Sequence, residues 1–549
     1  MIKARELIKK QDIVLKEIIS KQCVDEESMW HGGYNPAYDV ERGSIITTGL
    51  SQYADSESKF YKSEDLLKRM NWNMDFLLRF QLKSGLVSLM DCNIESPPDT
   101  AFIINNLAIC HYFIKKVNMD ELYELDEKII TFLDKTQNGM ITGGFHTPNH
   151  RWVMSCALVF LYDIFGNEQL KNRALEYLDE GIDNNVDGEW TERSNAAYNS
   201  VCDLCMYHIG EILNNELAFS AARRNLEMMT YMIHPNESIV TEYSTRQDRG
   251  NIILMGGGYV LIYFLMAAKD MNSEFMYMAN LALKNCKNYG MILLYAKIYE
   301  NLFSKEIPLK KINENYVKLL NKNNQAKVPQ RYSRYGNPVL RYRKDKMSLT
   351  VMSGQPNFLY FQYGNARMFG MRFVVGWFGL GGVSFSSIDQ LEENKYRLYA
   401  EISGKYWQTL KKEKCEKFSG DFNKMPNHER EDIGKVKFSV ECIVTIVENE
   451  IALEFSVDCQ YMLFAQIVCM FDSNGNLEGN DITQMGNNVI RQNSATTVYI
   501  CDGSEMEIYG GGKEHDFAVI RGDSINHNAK NLVFNFISPK KQKIIIKTK

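Results

Sequence analysis

The sequence contains no uninterrupted run of about 20 apolar residues, the length that a membrane-spanning helix requires. Residues Met1 to Gln22 alternate charged and aliphatic side chains at helical spacing, without the apolar core or small-residue cleavage site of a secretion signal. These absences predict a cytoplasmic protein that does not bind membranes.

The twelve cysteines have neither the spacing of a disulfide framework nor that of a zinc site. Several lie inside apolar helical runs, as Cys110 and Cys156 do, which favours reduced, buried thiols. The one close pair, Cys202 and Cys205, has no second pair to complete a metal site, so both are expected in the core. Whether a structural metal ion binds is left open, because no cluster has ligand spacing from which one could be named.

The formal net charge of −5 is small for 549 residues, so the sequence does not indicate binding to nucleic acid. With 45% hydrophobic and 24% charged residues, the composition is that of a globular protein and not of a disordered one. A chain of this length exceeds what one hydrophobic core usually serves, so two or more domains are expected.

From Tyr61 to about Lys322 the sequence shows amphipathic helical runs of three to five turns, separated by short polar or glycine-bearing breaks. Such helical hairpins form either a solenoid or a toroid, and no fixed repeat is visible that would favour the solenoid. The longer linkers are rich in His, Trp, Tyr, Arg and Gly. In a toroid these linkers meet at one mouth, where a binding groove would lie.

Beyond Pro329 the pattern changes to short alternating runs bounded by Gly, Asn, Asp and Ser, which predict antiparallel strands. The expected fold is therefore α+β and multidomain. An N-terminal arm (residues 1–54) packs on an incomplete (α/α) toroid (residues 55–325), and an antiparallel β-sandwich (residues 326–549) follows.

Polar and aromatic residues are dense in two linkers of the helical region. In the first, glycines precede His146, and Asn149, His150 and Arg151 stand at a helix entry. An Asn there also suits an N-cap, and a His there also suits a packed core position. The second linker carries Glu189, Glu192 and Arg193 ahead of a helix that begins near Asn195, with Tyr198 in its first turn. Asn195 also suits a helix cap, and Tyr198 a half-buried aromatic.

Asn149-His150, followed about fifty residues later by Glu192-x-Ser194-x-x-x-Tyr198, resembles the polysaccharide lyases of the heparinase II/III and alginate-lyase type. The motif covers residues 143 to 210. The resemblance implies a helical toroid followed by antiparallel sheets, and β-elimination on 4-linked uronic-acid glycans. The implied partner is an acidic oligosaccharide or polysaccharide, which a cytoplasmic enzyme would meet as imported oligosaccharides, and the chemistry requires no cofactor.

The same resemblance implies roles for individual residues. Removing the barely acidic C5 proton of a uronate requires donors that offset the carboxylate charge, a base, and an acid for the departing O4. Asn149 would neutralise the carboxylate, with His150 assisting or acting as base. Tyr198 would be the acid, and also the base in a syn elimination, while Arg193 would lower a tyrosine pKa or bind the carboxylate. In this family a histidine of the β-domain or of a late helical loop often takes part, and the candidates here are His234, His428 and His515.

Further residues suit substrate binding. Tyr243, Arg246 and Arg249 lie in one linker, where arginines would bind carboxylate or sulfate, or simply pair with neighbouring acids. Arginines and tyrosines of residues 331–343 would close the groove or form an exposed basic strand. The first loop contains Trp30, His31 and Tyr34. These residues are expected either to stack on sugar rings or to pack the N-terminal arm against the toroid. Contacts to substrate are also expected from His146, Arg151 and Glu192.

Two other functions remain open at this stage. A toroid glycoside hydrolase, such as an unsaturated glucuronyl hydrolase, would use two carboxylates across the scissile bond, drawn from Asp99, Glu189, Glu192 and Asp248. A non-catalytic carbohydrate-binding protein would keep the fold without a convergent site. Convergence of Asn149, His150 and Tyr198 favours the lyase, whereas two facing carboxylates favour the hydrolase.

Overall fold

The structure is a computed structural model that describes residues 4–34, 44–327, 334–415 and 420–549. The chain divides into a helical unit (residues 1–233 and 237–313) and a β-unit (residues 234–236 and 314–549). This order of helices and then antiparallel sheets confirms the predicted fold class. Parts of the predicted arm, the start of the predicted β-region and the first residues of the 331–343 segment lie outside the described residues.

The helical unit contains the following helices and one short hairpin. They are α1 (Ala4–Ser20), α2 (Ser44–Ala54), α3 (Glu64–Phe80), β1 (Val87–Leu89), β2 (Asn93–Ser96), α4 (Pro97–Val117), α5 (Tyr123–Thr142), α6 (Pro148–Phe165), α7 (Glu168–Asp179), α8 (Asn199–Leu213), α9 (Glu216–Met229), α10 (Gly258–Asp270), α11 (Ser273–Lys284), α12 (Gly290–Ile298) and α13 (Glu300–Phe303).

Hydrophobic patterning separates the helices into an inner and an outer set. In α10 every residue from Tyr259 to Ala268 is buried, as expected for a helix that is apolar on all sides. In α7 the buried side chains are Leu170, Ala174 and Tyr177, which form a single stripe. Helices buried on all sides, such as α10, form the inner set, and helices buried along one stripe, such as α7, cover them from outside.

The inner helices form a ring. Helix α4 packs on α6, α6 on α8, α8 on α10, α10 on α12, and α12 packs back on α4. An outer helix that returns the chain follows each of α4, α6, α8 and α10, so the inner helices all begin at the same end of the ring. The linkers that lead into α6 and α8 therefore share one rim.

The structure differs from the predicted boundaries at both ends of the helical region. Helices α1 and α2 belong to the helical unit, and α2 packs on α3, α4 and α12. The β-unit begins at Glu314, and its first strand covers Tyr316–Leu320, within residues that were predicted to be helical. The apolar spacing of this short segment fits either period, and pairing with a neighbouring strand decides it.

The β-unit contains one short helix, α14 (Lys412–Cys415), and eighteen described strands. The strands are β3 (Tyr316–Leu320), β4 (Val339–Lys344), β5 (Met347–Met352), β6 (Leu359–Tyr363), β7 (Ala366–Val375), β8 (Gly381–Gly382), β9 (Ser387–Glu392), β10 (Lys395–Trp407), β11 (Asp432–Val447), β12 (Glu450–Asp458), β13 (Leu463–Asp472), β14 (Asn476–Gly479), β15 (Ile482–Gly486), β16 (Val489–Gln492), β17 (Thr497–Cys501), β18 (Ser504–Tyr509), β19 (Ala529–Ser538) and β20 (Lys541–Thr548).

These strands form two large sheets with a shared core. One sheet has the order β14-β17-β18-β20-β12-β11-β10-β9, and the other has the order β15-β16-β19-β13-β7-β6-β5-β4-β3 with β8 on β7. Pairing is antiparallel except between β16 and β19. Phe373 of β7 stacks on Phe455 of β12 at 5.6 Å between ring centroids, so side chains of both sheets meet in one core. No helix in the described parts of the chain is long and apolar enough to cross a bilayer.

Candidate active site

Asn149 lies in the first turn of α6 and points into the protein. Thr147 occupies the N-cap position and Pro148 the first helical position, so Asn149 is not the cap. Its side-chain Nδ2 donates to Thr147 Oγ1 (3.1 Å) and to Glu192 Oε2 (2.7 Å). Asn149 is only 1% exposed, and its Oδ1 has no hydrogen-bond partner among the described residues. The amide is therefore held by the second linker.

Asp248 joins the two linkers that precede α8 and α10. Its carboxylate accepts from Ser194 Oγ (3.1 Å), from the Ala196 backbone N–H (2.9 Å) and from Ser244 Oγ (2.7 Å). Asp248 is buried, so these bonds satisfy a carboxylate that has left water. Its role is to hold the linkers together.

Glu192 is the centre of the candidate site. Its Oε2 accepts from Asn149, and its Oε1 lies 3.4 Å from the guanidinium Nη1 of Arg246. Glu192 is 3% exposed, whereas the side chain of Arg246 is 17% exposed and reaches solvent. The same guanidinium lies over the ring of Tyr198, 5.1 Å from its centroid. An amide and a guanidinium thus meet at one carboxylate, and the guanidinium connects that carboxylate with the phenol ring of Tyr198.

Tyr198 is half-buried at the residue before α8. Its hydroxyl oxygen accepts a hydrogen bond from Gln247 Nε2 (2.8 Å). Because the oxygen acts as the acceptor there, the phenolic proton remains available to donate elsewhere.

His150 extends the site on the side of α4. Its ring makes edge contacts with His146 (4.7 Å) and with Phe102 (6.5 Å). Burial is the main cause that lowers the pKa of His150 to about 4. The charges of His146 and Arg246 lower this pKa further, and the charge of Asp99 acts in the opposite direction. His150 is therefore neutral near pH 7, and its Nδ1 has no partner in the described part of the chain.

The structure corrects the expected roles of Arg193 and Tyr243. Arg193 Nη2 pairs with Glu189 Oε2 (3.1 Å), its guanidinium lies 4.6 Å from the ring centroid of Tyr243, and the Tyr243 hydroxyl donates to Glu189. All three side chains are at most 1% exposed. Burial and Glu189 raise the pKa of Tyr243 well above its usual range. These residues form a packed internal cluster and do not face Tyr198.

Arg151 also lies away from the site. Its guanidinium pairs with Glu180 (3.1 Å) and Asp183 (3.0 Å) at the end of α7 and stacks on Trp152. Arg249 and His146 are exposed, and Arg246 contacts Glu192.

The first-loop residues pack against α3. Trp30 stacks on Phe80 at 5.8 Å between ring centroids, and His31 contacts Trp72 at 4.7 Å. Tyr34 accepts a hydrogen bond from Ser44 and packs against the aromatic cluster of Phe76. Packing of the arm, the alternative to sugar stacking, is the arrangement that the structure shows.

The β-region histidines have partners within the β-unit. His234 Nδ1 lies 2.8 Å from Ser348 Oγ, and His515 Nε2 lies 3.0 Å from the Ala465 carbonyl oxygen. His428 is exposed beside Glu429. Gln247, in contrast, joins the site although no sequence feature indicated it beyond its position next to Arg246.

Three of the four carboxylates considered for a hydrolase, all except Glu192, bind neighbouring protein groups outside the candidate site. Asp99 accepts from Asn93 Nδ2 (2.8 Å) and Ser96 Oγ (2.5 Å) at the start of α4. Glu189 belongs to the internal cluster with Arg193, and Asp248 joins the linkers. Within the described ranges, no group of three or more His, Cys, Asp or Glu side chains is arranged to hold a metal ion.

No protein-family model matches the sequence, and no curated protein matches it. Solved structures do match the fold. The chain superposes over its full length on 85% of heparinase III, with a TM-score of 0.57 and 10% identity. It also superposes, over 99% of its length, on 57% of the Paenibacillus xanthan lyase, with a TM-score of 0.57 and 9% identity.

A third match is the chondroitin AC lyase of Streptomyces coelicolor A3, solved in complex with chondroitin sulphate. The whole chain covers 80% of that protein, with a TM-score of 0.52 and 8% identity. At these identities the likeness concerns the fold alone. The chain therefore has the polysaccharide-lyase fold, an array of paired helices followed by antiparallel β-sheets.

Proposed function

We propose that the protein is a carbon–oxygen lyase that cleaves 4-linked uronic-acid glycans by β-elimination. The observation that carries this proposal is that the Glu192 carboxylate binds both Asn149 and Arg246, and that the same Arg246 guanidinium lies over the ring of Tyr198. Matches to lyases of acidic glycans support the reaction class, and an acidic oligosaccharide or polysaccharide is the proposed substrate.

Glu192 indicates how a substrate carboxylate would be held. It already accepts from an amide and a guanidinium, the two donors that a uronate needs to offset its charge. Both Nδ2 hydrogens of Asn149 are engaged, one by Thr147 and one by Glu192. Substrate binding therefore transfers the Asn149 hydrogen bond of Glu192 to the substrate carboxylate, and Arg246 makes the charge-assisted contact.

His150 and Tyr198 are the proposed proton carriers. A neutral imidazole has a free lone pair, so His150 removes the C5 proton, and the electron pair of that C–H bond forms the C4–C5 double bond. The C4–O4 bond breaks, and Tyr198 donates its phenolic proton to the departing O4. Arg246 over the ring stabilises the negative charge that then develops on the phenol. The proposed reaction requires no metal or cofactor.

The test is incubation with a panel of uronic-acid glycans while ultraviolet absorbance is followed. Elimination creates a double bond conjugated with the carboxylate, so absorbance rises as chains are cut, and Tyr198→Phe should suppress that rise. New reducing ends without absorbance would show hydrolysis instead. Binding without either product would identify a carbohydrate-binding protein, and both outcomes would overturn the lyase proposal.

A further inference from the structure

Asp203 is a buried carboxyl group that the proposed mechanism does not use. It lies in the second turn of α8 and is fully buried. Its Oδ1 accepts a hydrogen bond from the indole Nε1 of Trp190 (2.9 Å), and its Oδ2 has no hydrogen-bond partner among the described residues. A carboxyl group that is buried with a single donor is unusual in a protein interior and calls for an explanation.

The surroundings of Asp203 keep it in the neutral, protonated form. The titratable groups that interact with it are Tyr259 and Tyr263 of α10 and Cys202 and Cys205 of its own helix. Burial raises the pKa of Tyr259, Tyr263 and Cys202 well above the usual range. A hydrogen bond with a neighbouring thiol, together with burial, does the same for the pKa of Cys205. All four are uncharged near pH 7, and burial raises the pKa of Asp203 itself well above its usual range.

The Trp190 indole joins the two helices that carry the proposed catalytic groups. Its ring lies 6.4 Å from the ring of Trp152, measured between centroids, and Trp152 follows Asn149 by about one turn of α6. Its N–H donates to Asp203, which lies on α8 shortly after Tyr198. The indole is therefore packed between the starts of α6 and α8, where it is 2% exposed.

Trp190 also begins the turn that presents Glu192. The Trp190 carbonyl oxygen accepts from the Arg193 backbone N–H (2.9 Å), which closes a four-residue turn with Glu192 in the third place. Arg193 has a φ of +45°, a conformation that a side chain other than glycine adopts only with support from its surroundings. The end of the turn is fixed separately, because the Arg193 carbonyl oxygen accepts from the Thr245 N–H (3.0 Å). The hydrogen bond to Asp203 orients the residue at its start.

We propose that Asp203 is a positioning residue, which orients Trp190 and through it the Glu192 carboxylate of the candidate site. The inference rests on the proposed function and adds to it a residue that does not touch the substrate. A neutral acid suits this role, because its carbonyl oxygen accepts from the indole without placing a second negative charge behind the turn.

The neutral acid lowers the stability of the protein near pH 7. The unfolded chain releases the proton of Asp203 above the ordinary pKa of 3.8, whereas the folded chain keeps it. The free energy of unfolding therefore falls as the pH rises from 3.8 towards the raised pKa of the folded state. The protein keeps this cost at a position that supports the candidate site, and strongly shifted groups of this kind cluster at functional sites.

Thermal melts of Asp203→Asn provide the first test. The amide keeps an acceptor for the Trp190 N–H and removes the proton uptake, so the thermal midpoint at pH 8 should rise by a few degrees. Asp126→Asn is the matched control, because Asp126 is 4% exposed but pairs with His111 and Lys115, so the same substitution should lower the midpoint. A midpoint that falls in Asp203→Asn at pH 8 would show an ionised carboxylate and would overturn the inference.

Turnover of uronic-acid glycans tests the positioning itself. Asp203→Leu removes the acceptor and should lower kcat about 10- to 100-fold. KM should change less, because Arg246, the proposed partner of the substrate carboxylate, lies outside the turn. Asp203→Asn should keep the wild-type kcat.

Trp190→Phe removes the same hydrogen bond from the other side. The double variant of Trp190→Phe and Asp203→Leu should therefore be about as active as the slower single variant, because both changes break one interaction. Losses that multiply in the double variant, or a loss in Asp203→Asn as large as that in Asp203→Leu, would contradict the positioning role.

A measurement without substrate separates this inference from the proposed function. The side-chain amide of Asn149 donates to Glu192, so its NMR resonances, assigned with Asn149→Ala, report the position of that carboxylate. They should shift in Asp203→Leu and stay in place in Asp203→Asn. If they do so while the wild type eliminates no uronate glycan, the positioning of Glu192 stands and the lyase proposal fails. If the wild type eliminates such glycans and Asp203→Leu changes neither kcat nor these resonances, the lyase proposal stands and the positioning role is wrong.

Discussion

Two clusters of Glu, Arg and Tyr lie in the same pair of linkers and differ mainly in exposure. Glu189, Arg193 and Tyr243 form the buried triad, in which each side chain is at most 1% exposed. Its ion pair is 3.1 Å long, and its tyrosine donates to the carboxylate. The buried triad pairs its charges internally and has no route to a ligand.

Glu192, Arg246 and Tyr198 form the open triad. Its ion pair is looser, at 3.4 Å, and its guanidinium reaches solvent. Its tyrosine oxygen accepts from Gln247, so its proton is not committed to the carboxylate. The same three residue types thus serve packing in one place and suit proton transfer in the other. Access to water, rather than composition, makes the difference.

The largest expected difference between the triads is in turnover. Tyr198→Phe removes the proposed acid and should lower kcat by about 10²- to 10⁴-fold with little change in stability. Tyr243→Phe should leave kcat within a few-fold while lowering the thermal midpoint, because Glu189 loses a buried donor. Parallel absorbance assays and thermal melts test both, and a larger loss of turnover in Tyr243→Phe would reverse the assignment.

Stability should show the opposite order for the arginines. Arg193→Met leaves the carboxylate of Glu189 buried without its counter-charge, which should cost about 3–5 kcal/mol. Arg246→Met removes a longer ion pair whose arginine is partly exposed, so its cost should be smaller than that of Arg193→Met. Denaturant unfolding measures both, and equal losses would show that exposure does not separate the triads.

Asn149→Ala tests the connection between the open triad and α6. Removing a donor that stabilises developing charge typically costs about 3 kcal/mol in the transition state, so kcat should fall about 10²-fold. Asn225→Ala is a matched control, since Asn225 is equally buried and donates to the Gly188 carbonyl oxygen outside the site. The control should lose stability but keep its turnover per folded molecule.

His150 should make the helical unit sensitive to acid. Its folded pKa of about 4 lies below the unfolded value of 6.5, so the unfolded chain binds the proton more readily. The contribution of His150 to the free energy of unfolding is constant above pH 6.5. It is lost as the pH falls towards 4, by at most about 3 kcal/mol. Thermal melts between pH 7 and pH 4 should show a shallower acid slope in His150→Gln. An unchanged slope would place the acid sensitivity elsewhere.

The smallest expected effect concerns Gln247. Gln247→Ala removes one hydrogen bond to the Tyr198 hydroxyl, which should lower kcat about five- to tenfold, or roughly 1 kcal/mol. KM and the melting temperature should stay unchanged because the side chain is exposed. Gln247→Glu replaces the donor with an acceptor and should not restore kcat. Full activity in the alanine variant would show that Gln247 does not position the phenol.

The sequence by itself determined the order of the architecture. Helical periodicity through the first part of the chain and alternation after Pro329 reflect which faces must be buried, and both periods are local properties. The Asn149-His150 pair and the Glu192 to Tyr198 motif predict two helix starts. Helix α6 begins as expected at Pro148, whereas α8 begins at Asn199, four residues later than predicted, so Tyr198 precedes the helix. Element boundaries were less accurate, as β3 shows, because a short apolar run fits either period.

Only the tertiary structure decided which residues of the linkers face a ligand. The linkers have no periodicity, so their sequence does not indicate that Arg193 turns inward while Arg246, about fifty residues later, reaches solvent. That choice depends on contacts between linkers, such as those of Asp248, which are distant in the chain. The cavity of about 140 Å³ between α4, α6, α8, α10 and α12 has the same origin, because it belongs to the packing of five helices and to no single segment.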